Sequence, residues 1–288
     1  MMTQVRQCQG LREISDAYSI FILDQWGVLH DGAVAFVSAI ESVAYLKQLG
    51  KTIALISNSG KSAESNIKRL NEFGFDTSQF DYVSTSGEFA IEYLKRTLVR
   101  KRIFWIDYSF DEKTESELSS NTFINTIENA DAIYLSGWDS SSMKWETYAE
   151  VFCYAAAKKI PMICSNPDVE GFSRGLKQNG PGWVADRFLK LGGIVTSIGK
   201  PDKSMFQHCL SNLGATDTSV VVVIGDSYVT DVCGAANAGI DSVLIECGVH
   251  KDIFSTRSIP SAIEFLSKKY SNGAVFPKYA MPRLQVGS

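Results

Sequence analysis

Short apolar runs alternate with amphipathic segments along this chain, and this alternation constrains the fold more than any other feature of the sequence. Residues 19–23 (SIFIL), 52–56 (TIALI) and 220–224 (VVVVI) have the length and composition of buried strands. Helical spacing of apolar residues follows the first two runs, and Gly50 and Gly74 end those helices. The order is typical of parallel strands joined by crossover helices, so the sequence predicts an α/β fold.

A second pattern of the same type occupies the middle of the chain. It comprises three strands, one helix and a glycine-rich loop, predicted at 103–106, 132–135, 161–164, 145–158 and 166–182. The first pattern then resumes, with strands and helices predicted at 194–197, 203–213, 220–224, 230–238, 242–246 and 258–269. Pro277 and Pro282 make the tail a loop or an edge strand at best. We therefore predict a core domain of residues 1–100 and 193–288, interrupted by an inserted α/β module at 101–192.

Charge and composition exclude two classes of function. The chain has 28 basic and 32 acidic residues and a net charge of −4, which is unsuited to coating nucleic acid but allows a local anion site. Its aliphatic runs are far shorter than the ~20 residues that span a bilayer, and the first ten residues lack a secretory apolar core. Six cysteines without CxxC spacing are typical of a reducing compartment. We expect a cytoplasmic protein that binds neither nucleic acid nor membranes.

Four short polar segments follow predicted strands, where an open parallel sheet presents its ligand site. They are 24–29 (DQWGVL), 57–61 (SNSGK), 199–202 (GKPD) and 225–231 (GDSYVTD). Most have an ordinary structural explanation when taken singly, as a helix cap, a turn or a solvated loop charge. Asp226 and Asp231 are harder to explain in this way, because two buried carboxylates raise each other's pKa unless a cation compensates. Together the segments supply the carboxylates, lysine and anion-binding groups that a Mg²⁺-dependent phosphoryl-transfer site needs.

The ordered motifs D-x-x-G-V-L, S-N-S, G-K-P and G-D-x-x-x-x-D resemble those of the haloacid dehalogenase-like (HAD) superfamily over nearly the whole chain. The long interval between Ser57 and Lys200 is similar to subfamily IIA, which has a large C2-type α/β cap and includes pyridoxal, phosphoglycolate, nitrophenyl and sugar phosphatases. The resemblance implies a Rossmann-like HAD core with residues 101–192 as the cap. It also implies Mg²⁺ as cofactor, a small phosphorylated metabolite as partner, and a homodimer formed through the cap.

The resemblance assigns catalytic and metal-binding roles. Asp24 matches the nucleophile that becomes an aspartyl-phosphate, and Lys200 matches the lysine that neutralises the nucleophile and the phosphate. Asp24, Asp226 and the backbone carbonyl of Trp26 match the Mg²⁺ ligands. Asp231 matches the acid that orients the metal shell or the lysine.

Substrate-binding roles are assigned in the same way. Ser57 matches the hydroxyl that binds the transferring phosphoryl group, with Asn58 beside it. Asn166 and Asp168, in the segment S-N-P-D, resemble the cap loop that selects substrates.

One position departs from the family pattern. The superfamily's general acid/base aspartate lies two residues after the nucleophile, where this chain has Trp26, whose side chain has no transferable proton. His30 and Asp31 are candidate substitutes in the following loop. The leading hypothesis is a Mg²⁺-dependent phosphatase of a sugar phosphate, nucleotide or cofactor phosphate. The alternatives are a catalytically attenuated phosphometabolite-binding or regulatory protein, and a phosphotransferase.

Overall fold

The chain forms two compact α/β units in a computed structural model that describes residues 5–107, 111–173 and 176–287. The first unit comprises the chain up to Ser57, Ile67–Ser84 and the chain from Lys200 onward. The second unit comprises Asn58–Asn66 and Thr85–Gly199. Each unit contains its own parallel sheet, so the predicted α/β class is confirmed.

The strands are β1 (Arg6–Gln7), β2 (Ile20–Leu23), β3 (Thr52–Ser57), β4 (Tyr82–Thr85), β5 (Arg102–Ile106), β6 (Thr122–Ile124), β7 (Ala132–Leu135), β8 (Met162–Cys164), β9 (Glu170–Ser173), β10 (Leu176–Asn179), β11 (Val195–Ser197), β12 (Val221–Gly225), β13 (Asp241–Ile245) and β14 (Tyr279–Met281). The α-helices are α1 (Val37–Gln48), α2 (Ala63–Glu72), α3 (Ser86–Thr97), α4 (Glu112–Glu117), α5 (Trp145–Lys158), α6 (Pro181–Lys190), α7 (Lys203–Asn212), α8 (Cys233–Asn237), α9 (Lys251–Thr256) and α10 (Ile259–Ser271). A π-helical turn at Tyr228–Val232 precedes α8.

The first unit is built on a seven-stranded sheet of order β1-β14-β13-β12-β2-β3-β4. Strands β12, β2 and β3 run parallel, and every residue of β12 is buried. Alternate residues of β13 face opposite sides: Val243 belongs to the apolar cluster that includes α1, whereas Leu244 belongs to the cluster that includes α10. Helices therefore cover both faces of the sheet, which explains why its central strands β2 and β12 are apolar throughout.

The second unit is built on a five-stranded parallel sheet of order β11-β8-β7-β5-β6, with β9 and β10 as a separate antiparallel hairpin. Its central strand β7 also packs on both sides. Ile133 and Leu135 share a cluster with α5 and α6, whereas Ala132 and Tyr134 share one with α3. This unit therefore repeats the layered arrangement of the first one.

The boundaries of the two units differ from the domain boundaries predicted from the sequence. Strand β11, predicted at 194–197 as part of the core, pairs with β8 in the second unit. Helix α3 also belongs to the second unit, because Ala90 and Leu94 pack with the five-stranded sheet. A core of residues 1–100 and 193–288 with a cap at 101–192 remains a prediction.

The tail prediction was wrong. Strand β14 lies between β1 and β13 and pairs in parallel with both, so it is an internal strand of the seven-stranded sheet. The two residues of β1, from the opposite end of the chain, cover the edge that β14 would otherwise expose. The flanking prolines stand outside its three paired residues, where they cost no ladder hydrogen bond.

Two further predictions need correction. The predicted glycine-rich loop at 166–182 contains the hairpin of β9 and β10, and α6 begins within it at Pro181. Proline suits the first turn of a helix because its missing N–H has no partner to lose there. The single helix predicted at 230–238 is the π-helical turn followed by α8.

Among the helices of the described residues, none combines the length and the apolar character needed to cross a membrane. The cytoplasmic location stays a prediction.

Candidate active site

Three adjacent strands bring predicted site residues to one edge of the seven-stranded sheet. Asp24 follows β2, Ser57 ends β3, and Asp226 follows β12. Strands β2 and β12 are neighbours, and the chain continues from β2 to β3 on one side and from β12 to β13 on the other. Open parallel sheets place their ligands outside the carboxyl ends of the strands at such a switch point. The fold therefore places these three residues where this architecture binds substrates.

Lys200 is the cation of this edge. Its Nζ donates a hydrogen bond of 2.6 Å to Asp24 Oδ1 and another of 2.6 Å to Asp231 Oδ1. The Lys200 and Asp231 side chains are only 3% and 1% exposed, and that of Asp24 is 11% exposed. Charge-assisted hydrogen bonds of this kind gain strength where water is excluded. Lys200 therefore ties the predicted nucleophile to the predicted outer acid.

Asp226 is clamped between two loops. A Cβ added at Gly27 would lie 2.0 Å from Asp226 Oδ2, and one added at Gly248 would lie 2.1 Å from Asp226 Cβ. The backbone N–H of Val249 donates to Asp226 Oδ2 at 2.7 Å. Burial, followed by repulsion from Asp24 and Asp231, raises the pKa of Asp226 well above its usual value.

The π-helical turn positions Asp231. The Ser227 N–H donates to Asp231 Oδ2 at 3.0 Å, so both carboxylate oxygens of Asp231 have partners. The turn itself is fixed from outside, because the Tyr228 N–H donates to His250 Nε2 at 3.1 Å. One-turn π segments recur at functional sites. Here the turn carries Asp231, whose Oδ1 accepts a hydrogen bond from Lys200.

The carboxylates fit a hard divalent cation. One oxygen of each of Asp24, Asp226 and Asp231 lies within 4.8 Å of the others, and all three residues are buried. Three carboxylates against the single ammonium of Lys200 leave excess negative charge in a buried place. Burial first, and then the charges of Asp24 and Asp231, raise the pKa of Asp226 in this place. Oxygen-only donors are the ligands that Mg²⁺ prefers, so the residues present suit the ion.

Trp26 lies at the position where this chain departs from the family pattern, and three residues pack around its ring. The His30 ring meets it edge-on at a centroid distance of 4.8 Å, and the guanidinium of Arg69 lies 5.4 Å from the ring centroid. Gly32, at φ +90°, allows close contact, since a Cβ there would lie 2.3 Å from Trp26 Cζ3. The indole is therefore packed against residues of its own unit. Metal binding by the Trp26 carbonyl stays a prediction.

Neither candidate substitute for the missing acid is in its acidic form at neutral pH. His30 is fully buried, and burial together with the charge of Arg69 lowers its pKa to about 3. Burial raises the pKa of Asp31, but backbone hydrogen bonds from Val34 and Ala33 outweigh that effect and leave it lowered. His30 is thus neutral and Asp31 ionised, and neither state is that of a general acid.

The predicted substrate-selecting residues meet one another in the second unit. Asn58 Nδ2 donates to Asp168 Oδ1 at 2.8 Å, and the Asp168 N–H donates to Asn166 Oδ1 at 3.1 Å. Asn58 is buried, whereas Asn166 and Asp168 are half-buried. The predicted residues therefore form two groups. The first unit contains the charged group, Asp24, Lys200, Asp226 and Asp231. The second unit contains Asn58, Asn166 and Asp168.

Three residues that contact the site were not predicted from the sequence. Gly248 and Val249 follow β13, which is the neighbour of β12, so the rule that located Asp226 applies to them as well. No local signal identifies Arg69, because it reaches Trp26 from α2.

Comparison with known proteins places the chain in a family. Residues 21–120 match a family model described as haloacid dehalogenase-like hydrolase, and residues 197–260 match a second model, described as HAD-hydrolase-like. The two matches together cover more than half of the chain. The chain belongs to the haloacid dehalogenase-like hydrolases, as the motif order predicted, and its features are typical of subfamily IIA.

Individual relatives agree with this assignment. The 5'-nucleotidase YutF of Bacillus subtilis is 25% identical over 236 residues, which cover 81% of this chain and 89% of the relative. An acid sugar phosphatase of Staphylococcus aureus is 24% identical over 86% of this chain and 94% of its own. A crystal structure of a haloacid dehalogenase-like hydrolase from Brucella suis superimposes with a TM-score of 0.80 at 24% identity, covering 96% of this chain and 99% of the other. The last similarity shows that the HAD fold is shared.

Proposed function

We propose that this protein is a Mg²⁺-dependent phosphatase that releases phosphate from a small phosphorylated metabolite through a covalent intermediate on Asp24. One observation carries the proposal: a buried lysine, Lys200, bridges Asp24 and Asp231 beside a third buried carboxylate, Asp226. A purely structural ion pair has no need of the extra carboxylate, which costs free energy unless a cation compensates.

Asp24, Asp226 and the Trp26 carbonyl would hold the ion. Bound Mg²⁺ supplies positive charge that stabilises the phosphoryl oxygens as negative charge builds up on them. The two carboxylate oxygens of Asp231 accept hydrogen bonds from Lys200 and from the Ser227 N–H. Asp231 therefore orients neighbouring groups and does not itself bind the metal ion.

The chain's own residues then perform the transfer. Lys200 holds the Asp24 carboxylate in orientation through a charge-assisted hydrogen bond, which a carboxylate nucleophile requires. Ser57, buried at the end of β3, binds a phosphoryl oxygen through its hydroxyl. An oxygen of Asp24 bonds to phosphorus while the bond to the leaving oxygen breaks, and water later releases phosphate and restores the carboxylate.

The substrate class is a sugar phosphate, a nucleotide or a cofactor phosphate. The first two are supported by the names of the relatives, a 5'-nucleotidase and an acid sugar phosphatase. Asn58, Asn166 and Asp168 offer amide and carboxylate groups that hydrogen-bond hydroxyls of such compounds. The relatives do not favour the alternative of a non-catalytic binding protein or a phosphotransferase.

Phosphate release from a panel of sugar phosphates, nucleotides and cofactor phosphates tests the proposal, with Mg²⁺ and with a chelator. Release should require Mg²⁺, and Asp24→Asn should lower it by at least about 10³-fold, as loss of a covalent nucleophile does. Asp16→Asn is the matched control, since Asp16 is a carboxylate of the same unit in a short helical turn. Turnover by Asp24→Asn equal to that of the control would disprove the covalent role of Asp24.

A further inference from the structure

Within the first unit, no side chain on the loop that follows the nucleophile offers a proton to a leaving group. Trp26 carries only an indole N–H, which is a hydrogen-bond donor but not an acid. His30 accepts the Gly32 N–H at Nδ1, at 3.0 Å, so its ring proton is on Nε2. That nitrogen is buried and has no hydrogen-bond partner among the described residues. Asp31 Oδ1 accepts the N–H groups of Ala33 and Val34 at 2.9 Å each, so this oxygen serves the turn.

The residues around Trp26 pack closely against its indole ring. His30, Arg69 and Gly32 each contact the ring, and the Gly32 contact leaves no room for a Cβ. On its other side, His30 meets the Phe73 ring at a centroid distance of 5.0 Å. These contacts hold the indole at the position where the family pattern has an acid. The loop therefore keeps a side chain without a transferable proton at this position.

We infer that the natural substrate carries its phosphoryl group on a weakly basic oxygen, as aryl, enol and acyl phosphates and phosphoanhydrides do. This inference rests on the proposed phosphatase function and narrows its substrate class. Asp24 attacks phosphorus, the bond from phosphorus to the leaving oxygen breaks, and the electron pair departs with that oxygen as a stable anion. No proton is needed at that moment. In the second step water attacks the aspartyl-phosphate, the Asp24 carboxylate leaves, and the proton of the water passes to a phosphoryl oxygen or to bulk solvent.

Alkyl phosphates, which include most sugar phosphates, behave differently. Their leaving alkoxide is strongly basic and needs a proton as the bond breaks. Assistance by a general acid is worth about 10²- to 10⁴-fold in rate. Without it, alkyl esters should react more slowly than activated esters by at least that factor. A sugar or nucleotide substrate remains compatible where its phosphoryl group is anomeric, enolic, acyl or part of an anhydride.

Substituted phenyl phosphates test the inference, because they vary leaving-group basicity while keeping nearly the same shape. The probes are 4-nitrophenyl, 4-chlorophenyl and phenyl phosphate, with acetyl phosphate, pyrophosphate and glycerol phosphate as acyl, anhydride and alkyl probes. The measured quantity is kcat/KM of the Mg²⁺-loaded protein, which covers the steps up to cleavage of the ester. We expect kcat/KM to fall steeply with basicity, by at least about 10²-fold from 4-nitrophenyl to glycerol phosphate. A preference for acetyl phosphate would indicate an acyl phosphate as the natural substrate, and a preference for pyrophosphate would indicate a phosphoanhydride.

Two variants locate the effect at Trp26. Trp26→Asp should raise kcat/KM for glycerol phosphate by at least about tenfold relative to 4-nitrophenyl phosphate, because a carboxyl then supplies the proton. Trp26→Phe keeps an aromatic ring without a proton and should retain the steep dependence. Where Trp26→Asp fails to fold, the series measured on the natural protein still decides the question.

The outcomes separate this inference from the proposed function. Glycerol phosphate cleaved within about tenfold of 4-nitrophenyl phosphate by the natural protein would overturn the inference and leave the phosphatase intact. No phosphate released from any probe, with no phosphate bound to Asp24, would overturn the proposed function itself.

Discussion

The carboxyl edges of the two parallel sheets show how one architecture carries two kinds of chemistry. The seven-stranded sheet gathers three buried carboxylates and a buried ammonium at its edge, within one network of short hydrogen bonds. On the five-stranded sheet, β5 is followed by Asp107 and β7 by Ser136. Ser136 accepts from Trp105 Nε1 at 2.6 Å and donates to Asp107. The described residues of that edge thus join an indole, a hydroxyl and a carboxylate in one chain of hydrogen bonds.

Strand order determines where a site lies, whereas side-chain charge determines what the site does. Both sheets present polar residues at the same structural position. The first places three buried carboxylates around a buried lysine, and such a concentration of charge binds a divalent cation and activates a nucleophile. The second edge has the adaptable hydrogen-bonding groups that suit recognition.

Removal of the ammonium from the first edge should have the largest effect on stability. Lys200→Met leaves Asp24 and Asp231 buried without their cation, and loss of one partner of a buried ion pair costs about 3 to 5 kcal/mol. Urea unfolding in the presence of a chelator measures the free energy of unfolding.

The matched substitution in the second unit is Asn58→Ala. It removes a neutral donor from the half-buried Asp168 and should cost about 1 kcal/mol. Equal losses of unfolding free energy in the two variants would contradict the contrast between the buried ion pairs of Lys200 and the neutral amide donor of Asn58.

An intermediate effect is expected at Gly248, which contacts Asp226. A methyl group there would lie 2.1 Å from Asp226 Cβ, so Gly248→Ala should cost about 1 to 3 kcal/mol through overpacking and weaken Mg²⁺ binding. Gly171→Ala in β9 is the control, because a Cβ there meets nothing within 4 Å. Thermal unfolding of both variants measures the loss. A Gly248→Ala protein as stable as Gly171→Ala would show that the clamp around Asp226 is loose.

The smallest stability effect is expected for Asp168→Asn. The new amide oxygen can still accept from Asn58, so unfolding free energy should change by less than about 1 kcal/mol. Substrate recognition should respond instead: KM for the best metabolite should rise while turnover of 4-nitrophenyl phosphate stays unchanged. Parallel losses with both substrates would argue against a recognition role for Asp168.

Much of the first edge could be predicted from sequence. The apolar runs before Asp24, Ser57 and Asp226 identify buried strands, and the carboxyl ends of parallel strands gather at one edge. The pairing of Lys200 with Asp24 came from family resemblance, since no local pattern specifies a contact between residues so far apart in the chain.

The errors share a physical cause. Strands β11 and β14 have three residues each, so their own sequences say little about which neighbours they pair with. The partners are decided by packing between distant segments, such as β14 against β1 from the other end of the chain. The contacts of Gly248 and Arg69 were missed for the same reason.

Calorimetric titration of Mg²⁺ tests the central claim, that the carboxylates of the seven-stranded sheet form a metal-dependent phosphoryl-transfer centre. Loss of an outer partner of a metal ligand already costs about 10- to 100-fold in affinity. Asp226→Asn should therefore weaken Mg²⁺ binding by at least about 100-fold, whereas Asp168→Asn should leave it unchanged. Affinity of the natural chain should also rise with pH, because the ion competes with the proton that a raised pKa retains on Asp226. A folded Asp226→Asn protein that binds Mg²⁺ as tightly as the natural chain would contradict the account.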